Sequence, residues 1–288
     1  MRCWESHVAP LGRMSDGRRL VISMAVDHTE LRETEAVRER AARLEAANKE
    51  LESFSYSVSH DLRAPLRAID GFSQILVEDC ASQLDETGKD YLSRIRNASK
   101  RMDTLIEDLL EYSRVSRSDF SEEPVDLTRL SFEIAGDLRA AAPDRSVEVA
   151  IPEGMRANGD PQLLRLVLQN LLENAWKFTS KRSAAHITVG ALPASAIERT
   201  FFVRDDGAGF SPEHAGRLFQ MFKRLHATSA FPGTGVGLAI VRRIVERHGG
   251  RIWAEGKVDE GATFYFTLPC SRGTKSHGED DTAGRGQS

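Results

Sequence analysis

A histidine next to a carboxylate is the feature of this sequence best placed to do chemistry. Residues 52–71 predict an amphipathic helix, because apolar side chains recur there at spacings of four and three, at Val58, Leu62, Leu66 and Ile69. On that helix His60 falls off the apolar face, with Asp61 beside it. An imidazole outside the core can take part in a reaction, although a lone histidine in such a place is more often an ordinary surface residue.

Two asparagines on a second predicted helix could serve a metal ion. Asn170 and Asn174 are four residues apart and so share a helix face, while leucines supply the packing on the other sides. Amide oxygens suit a hard cation such as Mg²⁺, which shares its ligands with phosphates. Lys177 follows on the same helix and could meet a phosphate. Taken alone, the pair could equally be polar residues on a solvated face.

A predicted strand ends in an acidic pair and a glycine turn, at Asp205, Asp206, Gly207 and Gly209. Glycine lets the backbone come close to a flat base. The carboxylate of Asp205 could accept a hydrogen bond from the amino group of adenine, where guanine has a carbonyl. Alone this cluster is weak, because strand–Asp–Gly turns are common.

Three alternating glycines, Gly233, Gly235 and Gly237, precede another predicted helix, with Leu238 directly after them. Free backbone N–H groups and the helix dipole favour a phosphate at such a place. No Gly-Lys-Ser/Thr follows, so the loop is not a P-loop, and its spacing also fails the dinucleotide-binding pattern. Alone, the glycines could form only a flexible loop and a helix cap.

Two long helices must position His60. From Thr29 a heptad pattern predicts a short coiled coil that runs without a break into the His60 helix. A second helix with its own apolar stripe is predicted over residues 86–115, after a turn at residues 78–86. Two antiparallel helices leave apolar surface uncovered, and a symmetric homodimer that closes a four-helix bundle would bury it.

The asparagine and glycine clusters belong to a second domain that mixes strands and helices, after a polar boundary at residues 116–123. Helices are predicted at 128–141, 161–178 and 235–248, and strands at 147–152, 185–190, 200–204, 251–255 and 262–268. Helices on one face of a mixed sheet give an α+β sandwich. The predicted fold class is therefore multidomain, an all-α antiparallel helical hairpin followed by an α+β sandwich.

Composition narrows the class of protein. With a net charge of −4 and acidic and basic residues interleaved, nothing in the chain favours a nucleic-acid partner. The 3 cysteines lie far apart, without a metal-binding spacing, and suggest a reducing compartment. No apolar run reaches the ~18 residues of a membrane span. With no signal-peptide pattern either, we expect a cytoplasmic protein.

Together these motifs resemble those of sensor histidine kinases. The run from Phe54 to Leu66, which contains Ser-His-Asp-Leu-Arg-Ala-Pro-Leu, resembles the phosphoacceptor box of that family. The asparagine cluster, the Asp205 turn and the glycine loop resemble, in order, the N, G1 and G2 boxes of GHKL-type ATPases, and residues 219–222 resemble the F box. The phosphoacceptor segment and the lid motif at residues 223–226 are similar to those of bacteriophytochrome-type kinases.

The resemblance implies a role for each candidate residue. His60 would be the phosphoacceptor, oriented by Asp61, and the second domain would bind ATP with Mg²⁺. Asn174 would be the Mg²⁺ ligand, with Asn170 beside it. The nucleotide site would comprise Asn170, Asn174, Lys177, Asp205, Gly207, Gly209, Lys223, Gly233, Gly235, Gly237 and Leu238. The phosphoryl group would then pass to an aspartate in the receiver domain of a separate response regulator.

Five segments are expected from these motifs. Residues 1–29 resemble the last strands of a PAS sensor domain, with a simple β-hairpin cap as the alternative, and residues 30–52 form a coiled-coil signalling helix. Residues 53–117 form the dimerisation and histidine phosphotransfer domain, and residues 118–269 form the catalytic ATP-binding domain. Residues 270–288 are polar and are expected to be a disordered tail.

One position departs from the family pattern. Many relatives carry Thr or Asn four residues after the histidine, where Ala64 stands in this chain and cannot hydrogen-bond, so phosphatase activity is expected to be weak. Two other classes stay open. One is a non-catalytic ATP-binding dimeric scaffold, and the other is a GHKL ATPase of another class, which would usually carry Glu at the position of Asn170.

Overall fold

The structure is a computed structural model. It describes residues 4–16, 18–27, 29–80, 82–117, 120–193, 195, 197–225 and 231–270. The side chain of His60 and most side chains between residues 29 and 56 are outside that description, as are His226 of the lid motif and the predicted tail beyond Cys270. Contacts divide the chain into two units, Met1–Val58 and Ser59–Ser288.

The first unit contains a β-hairpin followed by the start of a long helix. Strands β1 (Trp4–Arg13) and β2 (Arg19–Asp27) pair antiparallel. Two strands cannot bury a core of their own. Large apolar side chains of the hairpin are accordingly exposed, at Val8, Leu11, Val21, Ile22 and Met24. The strands predicted for this segment are present, and its resemblance to a PAS domain stays a prediction.

Two long helices, α1 (Thr29–Asp79) and α2 (Glu86–Arg117), form the predicted helical hairpin. Contacts between them show that they run antiparallel. The contacting pairs are Arg63 with Asp103, Leu66 with Ser99, and Asp70 with Arg96. Neither these nor any other helices in the described part of the chain are both long and apolar enough to cross a membrane.

One side of the hairpin in the second unit is apolar and exposed. Leu66, Ile106 and Leu110 form a small buried cluster, but the outer apolar side chains face solvent. These are Leu62, Ile69, Phe72, Ile75, Leu76, Tyr91, Ile95 and Met102. A stripe of this kind is typical of a surface that another chain covers. The four-helix bundle of a dimer would cover it, and that bundle stays a prediction.

The C-terminal domain contains the remaining elements in chain order. They are β3 (Glu123–Asp126), α3 (Leu127–Ala141), β4 (Val147–Ala150), β5 (Arg156–Gly159), α4 (Pro161–Phe178), β6 (Ala185–Ala191), β7 (Glu198–Asp205), a 3-10 helix (Pro212–Arg217), α5 (Gly237–Arg247), β8 (Ile252–Lys257) and β9 (Gly261–Pro269). The main sheet has the order β4-β6-β7-β9-β8, with β4 parallel to β6 and the other neighbours antiparallel. Strands β3 and β5 form a separate antiparallel pair.

One apolar core lies between the main sheet and its helices. The rings of Phe201 and Phe266, on neighbouring strands, stack there at 5.4 Å. Leucines of α4 and the apolar face of α5 complete the core. Val115, near the end of α2, is only 3% exposed and belongs to the same core. The helical hairpin and the C-terminal domain are therefore packed together through α2.

Candidate functional site

A cavity of about 310 Å³ opens between α4, the glycine loop and α2. Ligand sites usually occupy roughly 300–1,000 Å³. The predicted nucleotide-site residues that line the cavity are Asn170, Asn174, Lys177, Asp205, Gly209, Lys223, Gly233, Gly235, Gly237 and Leu238. Gly207 is not among the lining residues, and its N–H instead donates a hydrogen bond of 2.9 Å to Asp205 Oδ1.

Helix α4 has a well-capped start that fixes the side chains it carries. Asp160 accepts hydrogen bonds from the N–H groups of Gln162 and Leu163, each 3.0 Å long. Pro161 occupies the first turn, where no backbone donor is needed. The N–H of Asp160 donates in turn to Nε2 of the buried His248, at 3.0 Å.

The polar face of α4 turns two amide oxygens toward the cavity. Lys177 Nζ donates a hydrogen bond of 2.9 Å to Asn174 Oδ1. Asn170 donates through Nδ2 to the carbonyl oxygen of Leu166, at 3.0 Å. Its Oδ1 faces Gly237 so closely that a Cβ on that residue would collide with it. Glycine at 237 therefore leaves room for the Asn170 oxygen at the cavity wall.

Lys177 lies in a partly buried position that favours an anionic ligand. Burial lowers its pKa, and repulsion from the guanidinium of Arg224 lowers it further. Glu173 acts in the opposite direction. A negatively charged group in the cavity would stabilise the ammonium form, so this lysine suits a phosphate.

The donor set at this end fits a magnesium ion shared with a bound phosphate. Mg²⁺ prefers oxygen ligands and commonly combines one or two protein groups with phosphate oxygens. Among the described residues, no group of three or more His, Cys, Asp or Glu side chains could hold a metal by itself. The amide oxygens of Asn174 and Asn170 would be the protein ligands, with Glu173 also at the wall.

Asp205, which is 4% exposed at the end of β7, also lines the cavity. Burial raises its pKa to about 6, although a hydrogen bond from the Gly207 N–H acts against that shift. Two glycines are needed for space beside it. A Cβ on Gly207 would meet the carbonyl of Phe178, and one on Gly209 would meet that of Lys257. A carboxylate in this position can accept a hydrogen bond from a ligand amino group.

The glycine loop has a backbone conformation that other residues would resist. Gly233 and Gly235 have φ angles of 145° and 81°. The N–H of Phe222 donates a 3.0 Å hydrogen bond to the carbonyl of Gly235, which ties the loop to the F-box turn. The loop backbone thus lies at the cavity wall just before α5, where a helix N-terminus favours phosphate.

Two aromatic rings without a role in the sequence prediction also line the cavity. Phe178 and Phe231 lie 5.0 Å apart, and the ammonium groups of Lys177 and Lys181 lie over them, at 4.6 Å and 4.9 Å respectively. Phe178 directly follows Lys177, so its place in the asparagine cluster was an available signal. Phe231 comes shortly before the glycine loop, and no comparable signal marked it.

Helix α2 of the hairpin forms part of the wall as well. Thr104 and Asp108 line the cavity, and the hydroxyl of Thr234 in the glycine loop donates a hydrogen bond to Asp108 Oδ2. Burial raises the pKa of Asp108. Burial, then repulsion from Asp108 and Glu173, raises the pKa of Glu111. Sequence reasoning missed Asp108, because it and Thr234 are 126 residues apart and only the fold brings them together.

The predicted phosphoacceptor lies on α1, in the part that belongs to the second unit. Only the backbone of His60 is described, so the prediction of an outward-facing imidazole lies outside the described residues. The side chains of Asp61 and Ala64 are exposed. The roles assigned to these residues and to the cavity residues stay predictions.

Two family models match the chain. The model described as the His Kinase A (phospho-acceptor) domain matches residues 50–117, and it covers the part of the hairpin that carries His60. The model described as the Histidine kinase-, DNA gyrase B-, and HSP90-like ATPase matches residues 159–272, and it covers most of the cavity wall.

Known proteins with similar sequences include kinases and phytochromes. Cyanobacterial phytochrome B of Nostoc sp. is 39% identical over 227 residues, which are 78% of this chain and 30% of that protein. The methanogenesis regulatory histidine kinase FilI of Methanothrix harundinacea is 39% identical over 234 residues, 81% of this chain and 26% of that protein. The chain thus spans at most 30% of the length of these two relatives.

A solved structure shares the architecture. Full-length ShkA in complex with AMPPNP aligns with a TM-score of 0.55 and 27% identity, over 75% of this chain and 45% of that one. The predicted order, a helical hairpin followed by an α+β domain, is confirmed by the fold and by the two family models. With a phosphoacceptor segment along its hairpin and an ATPase-type domain around its cavity, the chain belongs to the sensor histidine kinases.

Proposed function

We propose that this protein is the kinase part of a two-component system and that it uses ATP to phosphorylate its own His60. One observation carries the proposal. The asparagines of α4, Asp205 and the glycine loop line one cavity, and part of its wall comes from α2, the partner helix of the one that carries His60. A nucleotide in this cavity would lie beside the phosphoacceptor hairpin.

The cavity residues suggest how ATP would be held. Asp205 would accept a hydrogen bond from the adenine amino group. Lys177 and the N–H groups of the glycine loop would bind the phosphates. Asn174, with Asn170 beside it, would hold Mg²⁺, which when bound neutralises part of the phosphate charge. Lys223 and Leu238 complete the wall.

The reaction would proceed in two transfers. A neutral ring nitrogen of His60 forms a bond to the γ-phosphorus while the bond to the β–γ bridging oxygen breaks, and ADP leaves. Asp61 accepts a hydrogen bond from the other ring N–H, which fixes the tautomer and stabilises the charge that develops. The phosphoryl group then passes to an aspartate of a separate receiver domain. A homodimer would cover the exposed stripe of the hairpin, and a cytoplasmic location belongs to the same proposal.

Incubation with γ-labelled ATP and Mg²⁺ tests this function. We expect acid-labile, alkali-stable label on the wild-type protein and none on His60→Gln. His7→Gln, which changes an exposed histidine of the β-hairpin, is the matched control and should be labelled normally. If the protein were a GHKL ATPase of another class, the His60→Gln variant would release free phosphate from ATP as fast as the wild type does. A scaffold would bind ATP without either reaction.

Phosphatase activity is expected to be weak because Ala64 has no polar side-chain atom. Ala64→Thr should speed the loss of label from a receiver domain that the wild-type kinase has phosphorylated. Ala68→Thr, at an exposed position four residues further along α1, is the control and should have no such effect. An unchanged rate in Ala64→Thr would contradict the role given to this position.

A further inference from the structure

A side-chain hydrogen bond joins the phosphoacceptor hairpin to the glycine loop. The hydroxyl of Thr234 donates to Asp108 Oδ2, and both residues line the cavity. Asp108 lies on α2, and Thr234 stands between Gly233 and Gly235. Because its two neighbours have no side chains, Thr234 is the residue through which this part of the loop can make a directed side-chain contact.

This hydrogen bond lies within one helical turn of His60 along the hairpin. Ser99 Oγ donates to the carbonyl oxygen of Leu66, which fixes the register of the two antiparallel helices. The steps back along α1 from Leu66 to His60 correspond to equal steps forward along α2 from Ser99, since both helices rise equally per residue. Those steps end between Thr104 and Asp108, the two α2 residues at the cavity wall.

A second contact holds α2 further along its length. Val115 is buried in the core of the C-terminal domain, and the Arg247 guanidinium of α5 donates to its carbonyl oxygen. That contact keeps the end of α2 on the domain. The glycine loop, which precedes α5, is bonded to Phe222 and Arg224 within its own domain. The bond between Thr234 and Asp108 is the one that joins it to α2.

The surroundings of Asp108 make the bond a specific one. The carboxylate is half-buried, and a polar group that loses water without gaining a partner is costly. Thr234 supplies that partner. The neighbouring acidic side chain on the helix, Glu107, is exposed and is not part of the cavity wall.

We propose that Asp108 is a positioning residue for the phosphorylation of His60. By accepting the Thr234 hydrogen bond, it holds the glycine loop, and with it the terminal phosphate of bound ATP, against the hairpin within one helical turn of His60. Asp108 acts through Thr234. The inference rests on the proposed kinase activity. Positioning matters for that reaction, because a displacement of about 1 Å from the productive geometry can slow a reaction by ~100-fold.

The test separates the rate of His60 labelling at saturating ATP from nucleotide affinity. Asp108→Ala and Thr234→Val should each lower the rate by about tenfold and keep the affinity for a non-hydrolysable ATP analogue within about twofold of the wild type. Each change removes the same hydrogen bond, so the double variant should be no slower than either single variant. Asp108→Asn and Thr234→Ser keep an acceptor and a donor and should retain most of the rate. Glu107→Ala is the control and should label normally.

Several results would overturn the inference: additive losses in the double variant, an analogue affinity that falls as much as the rate, or faster labelling in Asp108→Ala. Failure of the kinase assignment has a different signature. In that case the wild-type protein itself takes up no label at His60, although it binds the analogue, and the positioning role falls with it.

Discussion

Asp205 illustrates how a residue that is proposed to bind a ligand can reduce the stability of the folded protein. Burial raises its pKa to about 6, so the folded protein favours the neutral acid. The stabilising contribution of this raised pKa is fully present below the ordinary value of 3.8 and is lost as the pH rises through about 6. At neutral pH the nucleotide-free protein therefore contains a buried carboxylate that lowers the stability of the fold but could accept a hydrogen bond from a ligand.

Replacing Asp205 with Asn should separate these two properties. The amide oxygen can still accept the Gly207 hydrogen bond, and no charge is buried. We expect the free energy of unfolding of the nucleotide-free protein at pH 7.5 to rise by on the order of 1–2 kcal/mol, with a smaller gain at pH 5. ATP affinity should fall, because the charged acceptor for the adenine amino group is lost.

Chemical denaturation at the two pH values, and ATP binding by calorimetry, measure both effects. Asp259→Asn is a suitable control, since this exposed turn residue has a φ of 62° that asparagine tolerates. If Asp205→Asn made the protein less stable than the wild type at pH 7.5, the charged form would not be the penalised one.

Individual residues of the cavity wall were predictable where their signal was local, although their roles stay predictions. Asn170, Asn174 and Lys177 follow from spacing on one helix, and Gly235 follows from a loop whose backbone needs a residue without Cβ. Asp108 could not be found in this way, because an aspartate on an amphipathic helix has no distinguishing pattern. Its contact with the cavity depends on how α2 packs on the C-terminal domain.

At the scale of elements, the start of α4 decides how firmly the asparagines are held. Asp160 is buried and caps the helix, and its carboxylate also accepts a 3.3 Å hydrogen bond from the Ser121 N–H. Its own N–H bonds to His248, whose pKa is lowered chiefly by burial. The neutral histidine thus contributes stability that is present above the ordinary value of 6.5 and is lost as the pH falls below it.

Removing the exposed cap of α3 and the buried cap of α4 in separate variants should show how much more the buried cap contributes to the free energy of unfolding. Asp126 caps α3 through one hydrogen bond of 2.9 Å from the Arg129 N–H and is exposed. We expect Asp126→Ala to lower the free energy of unfolding by about 1 kcal/mol. Asp160→Ala should cost about 2 kcal/mol, because more donors lose their partner. Urea denaturation at pH 7.5 measures both, and equal losses would show that burial and the Ser121 bond add nothing.

Long elements were predicted well because their signals accumulate over many residues. The helix expected over 161–178 is observed as Pro161–Phe178, where an Asp-Pro start and an apolar stripe agree. Strands β3 and β5 were missed. Each has four residues, and β5 reads Arg-Ala-Asn-Gly, with no apolar alternation. They are strands because they pair with each other across the domain, and such pairing is not visible in a local pattern.

At the scale of the whole molecule, Val115 should make α2 and the C-terminal domain unfold together. Val115→Ala removes two methyl groups from a packed core and is expected to lower the free energy of unfolding by about 1–3 kcal/mol. Val258→Ala, in a turn where the side chain is 56% exposed, should change it by less than about 0.5 kcal/mol. Thermal denaturation of the two variants makes the comparison. Equal unfolding midpoints for the two variants would mean that α2 separates from the domain in solution.

The sequence predicted the order of hairpin and domain but not the contact between them. Polar residues 116–123 predicted a boundary between the two parts, and that boundary stays a prediction. Polar composition says nothing about docking, however, and the packing of Val115 on one side of this segment depends on side chains far along the chain. The order of domains was thus predictable, whereas their mutual contact required the fold.

Packing of the C-terminal domain on α2 within one helical turn of His60 has a consequence for turnover under the proposed function. A receiver domain that accepts the phosphoryl group must approach the same stretch of the hairpin. The receiver domain and the C-terminal domain would therefore exclude each other there. Each cycle would then include an undocking step, in which the Thr234 hydroxyl and the glycine loop withdraw from α2. How readily that step occurs would govern the delay between loading His60 and delivering its phosphoryl group.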